Sequence, residues 1–161
     1  MFLLSREYVF LVGNIWGIYT GNICRSPMAE FLFKEMLRQR GMENEYLIES
    51  RATTTEEIGN PPHYGTVLKL AQFGIVPANK FAEQLKRSEY KKYDLIIGMD
   101  NMNIRGIMRI IGSDPENKVM KLLSFTDSEA DIADPWYTND FDTAYNDIKK
   151  GLDGLAEYLG I

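Results

Sequence analysis

Gly21-Asn22-Ile23-Cys24-Arg25-Ser26-Pro27 is the stretch on which the fold turns. It opens with Gly and Asn, which tolerate unusual backbone angles. It closes with Ser-Pro, a helix-start signal, because Ser is a favoured N-cap and Pro is tolerated at the first helical position. An apolar, strand-like run precedes it and an amphipathic run follows it. Strand, tight loop and helix N-terminus together aim backbone N–H groups and a helix dipole at one spot, which makes an anion site. Arg25 adds a planar fork suited to phosphate oxygens.

Working outward, the strand ahead of the loop has two candidates. Tyr8-Val9-Phe10-Leu11-Val12 is β-branched and aromatic without alternation, as in a strand buried on both faces. Asn14–Tyr19 also carries apolar residues (Ile15, Trp16, Ile18), although Gly17 weakens it. Residues 1–13 therefore read either as an N-terminal extension or as a displaced first strand. After the loop, Pro27 to Arg40 reads as helix, with Met28, Leu32 and Met36 on one face and Ala29, Phe33 and Leu37 beside them. Gly41 stops it.

Tyr46-Leu47-Ile48 is a short second strand, and Thr53 to Pro62 a loop. A second helix runs from Pro62 to Phe73. Asp94 to Met99 is the clearest later strand, followed by a helix over 101–111. Val119 to Leu123 is a fourth strand, and Ser124 to Asn139 a long acidic loop. Phe141, Tyr145, Ile148, Leu152, Leu155 and Leu159 mark a closing helix. Alternating strands and helices predict an α/β doubly wound architecture, a mostly parallel four-stranded sheet flanked by helices, in one domain spanning 1–161. Ligands in such sheets sit beyond the carboxyl ends of the strands, at the switch in strand order.

The 161 residues carry 23 acidic against 18 basic side chains, a net charge of −5. That argues against a nucleic-acid surface, which wants a basic stripe. Arg6 and Glu7 interrupt the N-terminal apolar run and no small-residue cleavage site follows, so no targeting signal is read there. No stretch is long and apolar enough to span a bilayer. A single cysteine suits a reducing compartment, and the cytoplasm is the expected location. One histidine and one cysteine without ligand spacing give no zinc site.

Thr20-Gly21-Asn22-Ile23-Cys24-Arg25-Ser26-Pro27-Met28-Ala29-Glu30 resembles the phosphate-binding loop of the low-molecular-weight protein-tyrosine phosphatases. Ile58 to Gly65 and Tyr93 to Asp100 look like two further segments of that family, and Asp134-Pro135-Trp136-Tyr137 resembles its Asp-Pro-aromatic-aromatic acid loop. Four segments in the right order make the resemblance specific, and it covers about residues 14 to 161. It implies metal-free, cofactor-free, two-step hydrolysis of phosphotyrosine. A cysteine six positions before the loop arginine attacks phosphorus, and loop N–H groups with the arginine hold the oxygens. The loop aspartate protonates the leaving phenol and then activates water.

On that resemblance Thr20, Gly21, Asn22, Ile23, Cys24, Arg25 and Ser26 bind phosphate, and Asp134 is the acid. Asn22 braces the loop together with Ser50. Glu56, Trp136 and Tyr137 rim the substrate pocket. The implied partner is a phosphotyrosine protein or a small phosphate monoester, with neither nucleic acid nor membrane.

Six positions before Arg25 stands Tyr19, not cysteine. Its phenol, with a pKa near ~10, is protonated at neutral pH and too bulky to sit in line beneath phosphorus. Cys24, adjacent to Arg25, matches the family's second loop cysteine and reads as a small residue packed beside the loop. The motif's opening also occurs twice, as Gly13-Asn14-Ile15 and Gly21-Asn22-Ile23, so an insertion is an alternative to a substitution. Glu83 stands where the family usually has arginine, and Glu56 where it often has an aromatic. His63, after two prolines, reads as a capping or surface residue. The expectation is a family member with activity lost or strongly reduced. A non-catalytic phosphate- or phosphotyrosine-binding module is the alternative. An arsenate reductase is a weaker one, since that chemistry needs further redox cysteines.

Overall fold

The computed structural model describes residues 7–13 and 23–161. Four strands, β1 (Glu7–Gly13), β2 (Tyr46–Ala52), β3 (Leu95–Gly98) and β4 (Val119–Lys121), form one sheet of order β2-β1-β3-β4. Every neighbouring pair is parallel, so the sheet is wholly rather than mostly parallel. The question of the first strand is answered by β1. It pairs with β2 along its whole length, from Glu7↔Tyr46 to Gly13↔Ala52, and with β3 from Val9↔Leu95 to Val12↔Gly98. Asn14–Tyr19 lie outside the described residues.

The order of the strands reverses between β1 and β3. Their carboxyl ends, Gly13 and Gly98, therefore flank the crevice where doubly wound sheets bind ligands. The α-helices among the described residues are α1 (Arg25–Gln39), α2 (Tyr64–Ala71), α3 (Asn101–Ile111), α4 (Pro135–Thr138) and α5 (Phe141–Leu159). Ile97 of β3 lies in a core with Met28, Phe33 and Leu37 of α1 and Ile148, Leu152 and Leu155 of α5. Ile96 points the other way, against Ile107 and Ile111 of α3 with Tyr93. The unbroken apolar run Leu95-Ile96-Ile97 is thus the mark of a strand covered on both faces.

Several boundaries differ from the sequence reading. Helix α1 begins two residues early. Cys24, not Ser26, is the cap residue, and Pro27 is the third helical residue. That position is still within the first turn, where N–H groups have no helical partner, so proline costs nothing there. β2 runs on through Glu49 and Arg51, because those polar side chains alternate with buried Ile48, Ser50 and Ala52. β4 ends at Lys121 and a 3₁₀ turn, Leu122–Phe125, follows. The long acidic loop contains α4, capped by the Asp134 side chain accepting from the Trp136 N–H at 3.1 Å. No helix among the described residues is long and apolar enough to cross a membrane.

Helix α5 matches its predicted span, and its packing on the Leu122–Phe125 turn explains two of its glycines. A Cβ at Gly154 would lie 2.3 Å from the Phe125 carbonyl oxygen, and one at Gly151 2.5 Å from Leu122 Cγ. Alanine normally gains about 1 kcal/mol over glycine inside a helix. A methyl forced against backbone costs about 1–3 kcal/mol instead. Gly154→Ala should therefore lower stability by about 1 kcal/mol or more in urea unfolding followed by circular dichroism; a stabilised variant would refute this close packing.

Candidate active site

The N-terminus of α1 enters the crevice at the carboxyl ends of β1 and β3. Ile23, Cys24, Arg25 and Ser26 are all buried, and the first turn of α1 contains no acidic side chain to offset its dipole. The orphan N–H groups of such a turn are suited to an anion. The entering chain is anchored by the Ile23 carbonyl, which accepts from the His63 N–H at 2.8 Å, and by the Cys24 carbonyl, which accepts from Thr66 Oγ1 at 3.0 Å. Tyr19, Thr20, Gly21 and Asn22 lie outside the described residues.

Arg25 is among the largest fully buried side chains of the described residues, 1% exposed. Its Nη1 lies 2.8 Å from Asp100 Oδ2 and donates to the Ile132 carbonyl at 2.5 Å, while Nη2 lies 3.3 Å from Asp134 Oδ2. Asp100 is itself fixed. It caps α3 by accepting from the Asn103 N–H at 2.7 Å. Asn103 Oδ1 accepts from the Met99 N–H at 2.8 Å, and the Met99 carbonyl accepts from the Ile132 N–H at 3.0 Å. One short network at the end of β3 thus holds both the carboxylate and the carbonyl that hold the guanidinium. Sequence reasoning did not single out Asp100 as a site residue. Its signals were its place at the carboxyl end of β3 and its N-cap position before α3.

Asp134 is the looser partner. Burial is the main reason its carboxyl titrates above the ordinary aspartate value; the Arg25 charge opposes that rise without cancelling it. The side chain is 11% exposed, so it faces the crevice with one oxygen on Arg25 and the other on the Trp136 N–H. Of the two carboxylates on the guanidinium, Asp134 at 3.3 Å is therefore held less closely than Asp100 at 2.8 Å.

Cys24 is 1% exposed, and its thiol is pushed up to about 12, by burial first and by Asp134 second. Arg25 lowers it too little to compensate. A protonated, enclosed thiol is neither a nucleophile nor a metal ligand, and the sequence reading of Cys24 as a packed residue holds. Ser26 Oγ is fully buried and has no hydrogen-bond partner among the described residues. Ser50, expected to work with Asn22, donates its hydroxyl to Glu30 Oε2 at 2.5 Å. Buried Glu30 is also 2.6 Å from Lys34 Nζ and 2.8 Å from Lys80 Nζ. Lys80 donates to the Ser50 carbonyl at 3.1 Å, which ties the 79–83 strap to β2 beneath α1. Neither Glu30 nor Lys80 was picked out from sequence, because a lone Glu on a helix face carries no sign of its burial.

Three residues were expected at the pocket rim. Trp136 is half-buried with its ring edge-on to His63, centroids 5.4 Å apart, and His63 stacks on Phe141 at 5.4 Å. His63 Nδ1 accepts from the Gly65 N–H at 3.0 Å, so the histidine caps α2 as its sequence context suggested. Tyr137 is 62% exposed. Glu56 is also exposed, and its carboxyl is held below the ordinary glutamate range first by the Thr54 hydroxyl and then by its own N–H. The structure therefore brings together Arg25, Asp100, Asp134 and the Ile23–Ser26 turn, with Trp136 attached through the Asp134 cap.

The family model for low molecular weight phosphotyrosine protein phosphatases matches residues 14–160. Among curated proteins, the low molecular weight protein-tyrosine-phosphatase YfkJ of Bacillus subtilis is 35% identical over 144 residues, 88% of this chain and 92% of that protein. PtpA of Staphylococcus epidermidis is 35% identical over 140 residues, covering 86% and 88%. The crystal structure of YfkJ superimposes with a TM-score of 0.88 at 33% identity, over 97% of this chain and 96% of that one. SP-PTP of Streptococcus pyogenes gives 0.81 at 34% identity, over 95% and 93%.

Two outcomes are expected of the site as described. Sulfate stays a dianion between pH 4 and 9, so its affinity reports the protein's own titration. Protonating Asp134 frees one face of the Arg25 fork. Sulfate affinity should therefore rise as pH falls through the elevated Asp134 titration, and Asp134→Asn should bind about 3- to 10-fold more tightly at neutral pH with that pH dependence lost. Calorimetric titration measures both; weaker binding by the variant would contradict competition at Arg25. Separately, Cys24 should resist Ellman's reagent at pH 8 in the native protein and react stoichiometrically in guanidinium chloride. Rapid native labelling would place the thiol outside the enclosed position described.

Proposed function

Because the chain belongs to the low-molecular-weight protein-tyrosine-phosphatase family, we propose that it holds phosphate monoesters, phosphotyrosine foremost, in the crevice at the N-terminus of α1 with catalytic turnover lost or strongly reduced. The observation that carries this reading is the buried Arg25, whose fork is aimed by Asp100 and Ile132 and capped only loosely by Asp134. A planar donor pair beside orphan helix N–H groups is suited to two phosphoryl oxygens. Ser26 and the backbone of Thr20, Gly21, Asn22, Ile23 and Cys24 are the remaining proposed contacts, with Trp136 and Tyr137 at the rim.

The family reaction needs a thiolate beneath phosphorus and an acid above the leaving oxygen. Asp134 suits the second role, since burial raises its titration above the ordinary aspartate value and so favours the protonated form. The first role has no occupant. Counted back from Arg25 the position is Tyr19, and Cys24 is a protonated thiol enclosed beside the helix cap. The reading is therefore of a phosphate-binding family member without the attacking atom. The single cysteine gives no redox pair for arsenate reduction. A cytoplasmic location accords with the unpaired cysteine.

Hydrolysis of p-nitrophenyl phosphate should not exceed the uncatalysed background. Inorganic phosphate should bind in calorimetric titration, and Arg25→Lys, which keeps the charge but loses the fork, should weaken that binding about tenfold or more while circular dichroism stays unchanged. Turnover at the rate of an ordinary phosphatase would overturn the loss of activity. Absence of phosphate binding would overturn the binding site.

A further inference from the structure

We infer that this chain lacks its nucleophile through an insertion at the end of β1, not through replacement of cysteine by Tyr19, and that the attacking position is the one Gly13 opens. The inference rests on the family reading above and deepens it. The matched family model begins at residue 14, just after β1. Substitution by Tyr19 requires Asn14–Tyr19 to be the strand that precedes the loop, and the sheet gives that place to β1. β1, Glu7–Gly13, is hydrogen-bonded to β2 on one edge and to β3 on the other. A second run cannot enter between β2 and β3 while β1 fills both edges.

With the strand fixed, the spacing can be counted from described ends. Gly13 is the last residue of β1, in register with Ala52, and Arg25 opens α1. Eleven residues separate them, where a cysteine six positions before the arginine leaves five. The surplus is six residues, and it carries a second copy, Gly13-Asn14-Ile15, of Gly21-Asn22-Ile23. If residues 13–19 are reduced to one position, that position follows Val12 directly and stands six before Arg25. Val12 is in register with Arg51 and with Gly98, beside the end of β3 from which Asp100 holds Arg25. Strand side and helix side then agree on a single attacking position, which they do not in the chain as it stands.

The consequence is a difference between two ways of supplying a thiol. Replacing residues 13–19 by one cysteine restores the distance between strand end and guanidinium. Tyr19→Cys keeps the distance from Arg25 but leaves the six residues 13–18 between Val12 and the thiol. In the shortened protein the thiolate forms an S–P bond as the ester P–O bond breaks, and Asp134 gives its proton to the departing phenolate oxygen. Water then adds to phosphorus, returns a proton to Asp134, and frees the thiolate and inorganic phosphate.

Four full-length proteins test this: the parent, Tyr19→Cys, Gly13→Cys, and the chain with residues 13–19 replaced by one cysteine. Each is assayed with p-nitrophenyl phosphate and with iodoacetate labelling at pH 6.5, which reports a thiolate of depressed pKa. The shortened protein should exceed the parent by about 100-fold or more in turnover, and Tyr19→Cys should fall at least about tenfold below it. Equal or faster turnover by Tyr19→Cys, or a folded shortened protein that is inert, overturns the inference. Should the shortened protein fail to fold, Gly13→Cys decides: faster labelling than Tyr19→Cys supports the strand-end position, and slower or equal labelling refutes it. Turnover by the parent itself refutes the loss of activity proposed above and leaves the comparison of the variants intact.

Discussion

A buried guanidinium sets the terms for this molecule. Taking Arg25 out of water costs several kcal/mol unless its donors are met by charge and by geometry. Asp100 and the Ile132 carbonyl meet them on one side, and Asp134 on the other. Each of those groups is in turn fixed by backbone. Asp100 is the cap of α3, Ile132 is tied to Met99 at the end of β3, and Asp134 is the cap of α4. Two segments distant in sequence, 99–100 and 132–134, are therefore held at one point by one cation. The carboxylate at 2.8 Å belongs to the strand end and the one at 3.3 Å to the cap of α4, so the two sides of the guanidinium are held unequally.

The sheet supplies the second constraint. Because β1 is flanked on both edges, its carboxyl end lies inside the sheet, beside that of β3. The polar layer under α1 supports that helix. Glu30, enclosed among Ser50, Lys34 and Lys80, links α1 to β2 and to the strap over 79–83. Departures from the family pattern fall outside this frame. Glu83 gives its carbonyl to the Ala52 N–H at 2.7 Å and sends its exposed side chain toward Arg51 at 3.5 Å, so a main-chain contact holds this position and its charge is peripheral. Glu56 is exposed.

Much of this was legible in the residues. The 95–97 apolar run, the closing helix 141–159 with its 3.6-residue spacing, and the Gly21–Pro27 signal gave fold, order and location of the crevice. Periodicity reports one element against a generic core, and those elements meet such a core. It was less informative where polar residues alternate into a buried strand, as in β2, or where a helix starts without a side-chain cap, as at Cys24. Asp100 and Glu30 were invisible for a related reason: burial and ion pairing arise from neighbours far along the chain.

By itself, the sequence determined the α/β alternation, the turn that leads into α1, the place of Asp134 before Pro135 and the absence of any cysteine six before Arg25. Those are properties of residue type and local spacing. Only the tertiary structure decided which of two apolar runs is the central strand, because that depends on hydrogen bonds to β2 and β3 on opposite edges. It likewise decided that Asp100 holds Arg25 and that Cys24 stays protonated, since both follow from what surrounds a side chain in space and not from what stands beside it in the chain.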